Sequence, residues 1–360
     1  MRIEAERLEA AAGALLETTG APPATADAVA ESLVESDLRG HHSHGVLRVP
    51  YYADMIEAGS IDPAAKPAVD RSTGTLVKLD GCHAFGQVVG REAVDLLTDR
   101  VAAEGIAAVG MRDATHLGRV GEWAERTAAA GYCFAAFVNS QGGGHNVAPA
   151  GSADRLLSTN PMAYGIPTMG ALDHDVVLDM ATSQVAHGKI RELEASGGSV
   201  PEGWTTDERG AGYTDAAGFE AGEGGAMLPL GGRTAGYKGT GLAVVSELFA
   251  GLLGDGFVAG GRDAEYSSNA AVFVAVDPLF FTDREGIRRR MTTLADHLAA
   301  ADYDAGPSPG VAAKGDRFRM PGAPEHERRE AHLAEGVEID DAVADRLRAM
   351  AEARDVDVDL

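Results

Sequence analysis

Apolar positions along the chain follow one period in its first part and another in its middle. Over residues 3–19, Ala and Leu recur at every third or fourth position among Glu and Arg. Residues 25–38 repeat this after Pro22-Pro23, with Thr25 as the candidate N-cap. Both segments read as amphipathic helices. A third segment holds Met55 and Ile56 and stops at Gly59-Ser60, and the proline-rich residues 61–69 read as a crossing between domains. Short β-branched runs then alternate with longer helical patterns. Strands are expected at 75–80, 105–111, 132–139, 176–180 and 271–277. Helices are expected at 90–104, 120–130, from 188 onward, at 239–253 and at 285–299. Strands interleaved with helices indicate an α/β core. Residues 197–226, rich in Gly, Asp and Glu, read as a long surface loop, and 302–310 as another. The tail reads as one more strand or turn at 317–322 followed by helices.

Composition adds a constraint on partners. The 360 residues are 45% apolar and 24% charged, ordinary for a globular protein, but the net charge is −24. That balance argues against nucleic acid and anionic membranes, both of which recruit positive surface. Lysine is scarce, at Lys66, Lys78, Lys189, Lys238 and Lys314, while Asp, Glu, Ala and Gly abound. Such a surface suits high salt, where screening relieves self-repulsion, and a halophilic cytoplasmic protein is expected. Cys82 and Cys133 lack any metal or redox spacing and fit a reducing compartment. No basic-then-apolar leader opens the chain and no run approaches twenty apolar residues, so a soluble protein is expected.

Candidate chemistry concentrates between Arg39 and Tyr52, where three histidines, two arginines and two tyrosines fall within fourteen positions. A helix starting near Ser43 would place His44, Arg48 and Tyr52 on one face, and Pro50 would make such a helix start late or kink. That face would offer a titratable group, a planar carboxylate clamp and a hydroxyl; the alternative is a helix start with His41 and His42 in solvent. His116 follows the 105–111 strand, at the carboxyl end where open sheets place ligands. The polar runs Asn139–Gly144, Ser158–Pro161 and Asp179–Ser183 suit phosphate or ribose contacts, with an N-cap for the next helix as the other role for Asp179. Lys238, before a helix, suits an anion, but Tyr237 stands where a P-loop requires lysine. A metal site from His41, His42, His44 and His116 lacks a carboxylate at ligand spacing, and no Gly-x-Ser-x-Gly is present.

The order of these motifs is more informative than any one of them. His-Ser-His-Gly-Val-Leu-Arg-Val-Pro-Tyr-Tyr (42–52) is followed by Thr-His-Leu-Gly (115–118), Asn-Ser (139–140) and Gly-Ser-Ala-Asp (151–154). Then come Thr-Asn-Pro-Met-Ala (159–163), Leu-Asp-Met-Ala-Thr-Ser (178–183), Met-Leu-Pro-Leu-Gly-Gly (227–232) and Gly-Tyr-Lys-Gly-Thr-Gly-Leu (236–242). In this series the chain resembles the malate/L-lactate dehydrogenase-type family of NAD(P)-dependent oxidoreductases over nearly its whole length. The resemblance implies an α/β (α+β) fold: a non-Rossmann, mixed-sheet NAD(P)-binding core at 73–310, and a mostly helical domain from 1–72 with 311–360 returning to it. It implies a homodimer, NAD or NADP as cofactor, and hydride transfer at C2 of a small 2-hydroxy or 2-keto acid such as malate, lactate or sulfolactate. Reduction of a cyclic imine carboxylate, or non-catalytic dinucleotide binding, is the alternative.

Residue by residue, the resemblance gives Ser43, Arg48 and Tyr52 to the substrate, and His116 and His44 to acid/base catalysis, with His116 the first choice of base and no metal. It gives Ser140, Asn160, Pro161, Asp179, Met180, Ala181 and Lys238 to the dinucleotide. Pro321-Gly322 would join them, although Ala323-Pro324 separate that pair from Glu325. Where some relatives carry a substrate-binding arginine, this chain reads Tyr266-Ser-Ser-Asn269.

Overall fold

The structure, a computed structural model, describes residues 1–142, 144–262, 268–301, 303, 313–314 and 317–360. Gly143, Tyr266 and all of the expected 302–310 loop except Tyr303 lie outside the described residues. The N-terminal periodicity folds as expected into helices Ala5–Glu17 and Pro23–Leu38. One boundary differs: Thr25 is not the cap. Pro22 occupies that position and Pro23 opens the helix, where its missing N–H would have had no partner in any case. The buried stripes of both helices, among them Leu8, Leu15 and Leu33, meet Val49, Tyr52 and Met55 from a third helix, Arg48–Glu57. Val337, Ile339 and Leu347 enter the same cluster from the far end of the chain, and Arg2–Ile3 pairs antiparallel with Val337–Glu338. Helix Ala323–Glu335 is tied to Pro23–Leu38 by Arg329, which grips both oxygens of Glu35 at 3.0 and 2.8 Å.

A seven-stranded mixed sheet forms the middle of the molecule. Its order is Ala68–Thr73, Leu76–Asp80, Ile106–Ala114, Ser268–Val276, Cys133–Gln141, Met162–Ile166 and Val176–Met180. Leu76–Asp80 runs parallel to Ile106–Ala114, and every other neighbouring pair is antiparallel. Side-chain alternation separates the two faces. Val109, Met111, Ala136, Val138 and Phe273 point to a core shared with helices Gly86–Glu104 and Val120–Ala129, where Trp123 is fully buried. The opposite face carries helix Gly232–Gly254. Gly110 permits that close approach, because a Cβ there would lie 1.9 Å from the Leu253 carbonyl oxygen.

Two strands of the seven-stranded sheet have no counterpart in the sequence pattern. Ala68–Thr73 is exposed at every position, and Met162–Ile166 follows an Asn-Pro pair and contains Gly165. The 197–226 stretch is not a plain loop. Thr205–Thr206 pairs with Ala226–Met227, and Asp215 caps helix Ala216–Glu220 by accepting from Gly218 N at 3.1 Å. Val147, Ile190, Val200, Phe219 and Met227 form a small separate core there.

Candidate active site

The histidine segment does not form one continuous helix. His42–His44 makes a single 3₁₀ turn, and the α-helix begins at Arg48, so the common helical face expected from Ser43 to Tyr52 is not what brings these side chains together. Pro50 falls within the first turn of the late-starting helix, where a missing N–H costs little. The bend before it is imposed by Asp37, a buried carboxylate. Its Oδ2 accepts from Val46 N at 2.8 Å and its Oδ1 lies 2.9 Å from His42 Nδ1. Gly45 makes room for this carboxylate, since a Cβ there would sit 2.0 Å from Asp37 Oδ1. His42 is thereby anchored to the scaffold while its side chain stays partly exposed, and the hydrogen bond to Asp37 raises its pKa. His41 faces Glu325, Nε2 to Oε1 at 3.6 Å.

The remaining groups converge. Tyr52, fully buried, places its hydroxyl 2.8 Å from His116 Nδ1, and the His44 and His116 rings stack with centroids 5.3 Å apart. Ser43 Oγ lies 3.0 Å from His44 Nδ1, and Arg48 Nε donates to the Ser43 carbonyl at 2.7 Å. His116 is fixed from below. Thr115 Oγ1 donates to Ala84 O and accepts from Gly86 N, both at 2.9 Å, and Leu117 N donates to Asn269 Oδ1 at 3.0 Å. Gly188, at the start of helix His187–Ala195, closes the other side; a Cβ there would meet that of Ser43 at 2.5 Å.

Burial, followed by the Arg48 charge, pushes both imidazoles well below the usual histidine range, so both are neutral at pH 7. Burial also lowers the Arg48 guanidinium and lifts the Tyr52 phenol to about 12. Among the described residues no carboxylate pairs with Arg48, and no group of three or more His, Cys, Asp or Glu side chains is placed to hold a metal ion. Nor is any helix among them long and apolar enough to cross a membrane.

A second group gathers at one end of the strands that follow. Register places Met180 beside Met162 and Asp179 beside Ala163, directly after Asn160-Pro161, while Thr182 N reaches Thr159 O at 2.8 Å. Ser140 is the next-to-last residue of strand Cys133–Gln141, opposite Asn269. Pro321 and Gly322 dock on the outer strand, the Pro321 carbonyl accepting from Val177 N at 3.1 Å. Asp179 does not cap the next helix. Its Oδ2 accepts from Gly121 N at 2.7 Å and caps helix Val120–Ala129, and burial raises its pKa. Asn160 is fully buried at positive φ, its amide donating to Glu247 Oε2 at 2.7 Å and Ala243 O at 3.1 Å, while its Oδ1 has no partner. Lys238 is exposed on the first part of helix Gly232–Gly254.

Residues 3–348 match the family model described as malate/L-lactate dehydrogenase. The chain belongs to that family. Among malate/L-lactate dehydrogenase relatives, it is 33% identical to a malate dehydrogenase of Pyrococcus abyssi over 83% of this chain and 82% of the other. It is also 33% identical to an L-lactate dehydrogenase of Cupriavidus necator, over 94% and 93% of the two chains. In architecture it matches the crystal structure of malate dehydrogenase from Entamoeba histolytica with a TM-score of 0.90, at 23% identity, over 100% of this chain and 99% of that one.

Several residues that build the site are not evident from sequence. Gln87 donates to the Tyr52 hydroxyl at 2.7 Å, and Asp37 shapes the turn before Arg48. Glu247 cross-links Asn139 and Asn160, each at 2.7 Å. A glutamine in a helix and two carboxylates in apolar segments carry no local signature; only tertiary packing assigns them.

Proposed function

We propose that the protein is an NAD(P)-dependent oxidoreductase acting at C2 of a small 2-hydroxy or 2-keto acid. The observation that supports this best is the stacked His44–His116 pair, held by Tyr52, beside a guanidinium that no carboxylate among the described residues pairs with. A planar guanidinium clamps a substrate carboxylate through two hydrogen bonds. Anchored there, the acid presents its C2 oxygen to the imidazoles. His116 exchanges the hydroxyl proton, and His44, held by Ser43, donates to the oxygen as charge develops on it. Neutral imidazoles suit proton acceptance during oxidation.

The donor set also suits a dinucleotide. Asn160 Oδ1 is a buried acceptor without a partner, Lys238 is an exposed cation, and Ser140 and Ala181 flank the strand ends. With Pro161, Asp179, Met180, Pro321 and Gly322 these residues would hold NAD or NADP on a mixed sheet without a Gly-x-Gly-x-x-Gly turn. When bound, the nicotinamide would exchange a hydride with C2. We assign residues 1–72 and 311–360 to a helical domain and 73–310 to the cofactor-binding core, in a halophilic, cytoplasmic homodimer. The dimer reading draws on the apolar ridge of Val245, Leu248, Phe249 and Leu252 on helix Gly232–Gly254. Between Gly239 and Gly254 the single ionisable residue, Glu247, is buried, which leaves an uncharged face on an acidic molecule.

A screen of small 2-keto and 2-hydroxy acids with both nicotinamides in high salt tests the reading. Turnover on a keto acid, reduced by about a hundredfold or more in His116→Ala, is the expected result. Turnover restricted to a cyclic imine carboxylate would move the chemistry to carbon–nitrogen reduction. Nicotinamide fluorescence on binding with no turnover of any acid would make the protein a dinucleotide binder.

A further inference from the structure

Gln87 sits at the second position of helix Gly86–Glu104 and is 1% exposed. Its Nε2 donates to the Tyr52 hydroxyl at 2.7 Å, while its Oε1 is buried without a partner. A buried amide oxygen left unpaired is costly, and native cores rarely retain one without a reason. The Tyr52 hydroxyl has one proton. Receiving from Gln87, it gives that proton to His116 Nδ1, 2.8 Å away, and so holds the neutral ring as the Nε2–H tautomer.

That direction is wrong for the working forms of the ring. A histidine that takes the C2 hydroxyl proton at Nε2 must carry its own proton on Nδ1, and the imidazolium that results carries protons on both nitrogens. In each case Nδ1 becomes a donor, Tyr52 Oη must accept, and the phenolic proton needs a new acceptor. Gln87 Oε1 can be that acceptor once the amide turns about its last side-chain bond. From the resting ring, a proton taken from water at Nδ1 and the Nε2 proton released to water give that tautomer; the substrate proton then ends on Nε2, and the phenolic proton stays on Tyr52 while its hydrogen bonds reverse.

We propose that Gln87 is a positioning residue that selects the His116 tautomer, its amide reversing the Tyr52–His116 hydrogen bond whenever Nδ1 is protonated. The inference rests on the dehydrogenase reading for its kinetics but not for its geometry. Three other titratable or charged groups face the His116 ring: Arg48 and Tyr52 from helix Arg48–Glu57, and His44 from the preceding turn. The Gly86–Glu104 helix contributes the neutral Gln87.

The test uses the full-length protein and two variants. Gln87→Glu, studied at a pH where its carboxyl is ionised, supplies acceptors only, and Gln87→Met removes both functions at similar volume. Nitrogen-15 spectra of the resting protein, with His116 assigned by difference from His116→Gln, should show Nε2–H in wild type and Nδ1–H in Gln87→Glu, with the His116 pKa raised in the latter. Gln87→Met, which orients the phenol neither way, should show a mixture of the two tautomers, lower the His116 pKa and reduce kcat about tenfold or more with KM little changed. An unchanged tautomer in Gln87→Glu, or wild-type kcat and pH profile in Gln87→Met, overturns the proposal. Should Gln87→Glu fail to fold, the Gln87→Met kinetics and titration decide. If no acid is turned over by wild type, the spectra decide alone, so the activity reading can fail while the tautomer assignment stands.

Discussion

At Arg48 and His116, neighbouring groups set the charge of each side chain. The two imidazoles are depressed by burial and then by Arg48, and a cation beside a cationic acid lowers its pKa. Arg48→Gln should therefore raise the His116 pKa toward its ordinary value, a shift readable in a proton NMR titration without any substrate. No upward shift would separate the guanidinium from the ring electrostatically. Arg48→Lys keeps the charge but loses the planar fork, so KM for the acid should rise about tenfold or more while the His116 titration stays near wild type. An unchanged KM would remove Arg48 from carboxylate binding. The depressed histidines also bear on stability. Folded, they resist protonation, whereas unfolded they charge near pH 6.5, so their contribution is present above that pH and is lost as pH falls below it.

Legibility in the sequence varied by element according to what fixes each one. Helix Ala5–Glu17 and strand Leu76–Asp80 were readable because burial itself sets their period. Ala68–Thr73 has no buried position to impose a period, and its place in the sheet comes from pairing with Leu76–Asp80. The residue types of the site were readable, but their convergence was reached by another route. Asp37 and Gly45 bend the backbone through a 3₁₀ turn, so that the helix starts late, at Arg48, rather than near Ser43. Gln87, Asn160 Oδ1 and Glu247 acquire meaning only across elements. One such link is testable at this scale. Burial would raise the Glu35 carboxyl, but the pairs with Arg329 and Arg39 win and hold it at about 2. A carboxyl lowered on folding stabilises above its unfolded pKa near 4.5 and loses that contribution as pH falls toward 2. Glu35→Gln should cost about 1–2 kcal/mol at neutral pH, discounted for partial exposure. Its stability deficit against wild type, measured by urea unfolding, should close between pH 4.5 and 2. A pH-independent deficit would mean that packing, not charge, holds the two helices together.

For the whole molecule, a net charge of −24 and one uncharged helix face act in opposite directions on association. Two copies docking through helix Gly232–Gly254 gain by covering Leu252, 73% exposed, with Leu248 and Phe249 beside it, at roughly 25 cal/mol per Å² of apolar surface removed from water. Against this stands repulsion between two acidic bodies, which reaches about 10 Å at 0.1 M salt and about 3 Å at 1 M. Salt therefore weakens the opposing term while leaving the hydrophobic term intact. Light scattering should show a dimer in molar KCl that dissociates on dilution into low salt, with the melting temperature falling in parallel. Leu252→Asp places a charge within the apolar ridge and should give a monomer at every salt concentration, while His116 titrates as in wild type. If that variant still dimerises in molar KCl, another surface joins the subunits. If wild type melts at the same temperature in dilute buffer and in molar salt, the acidic surface is not an adaptation to ionic strength, and the lysine-poor composition calls for a different physical cause.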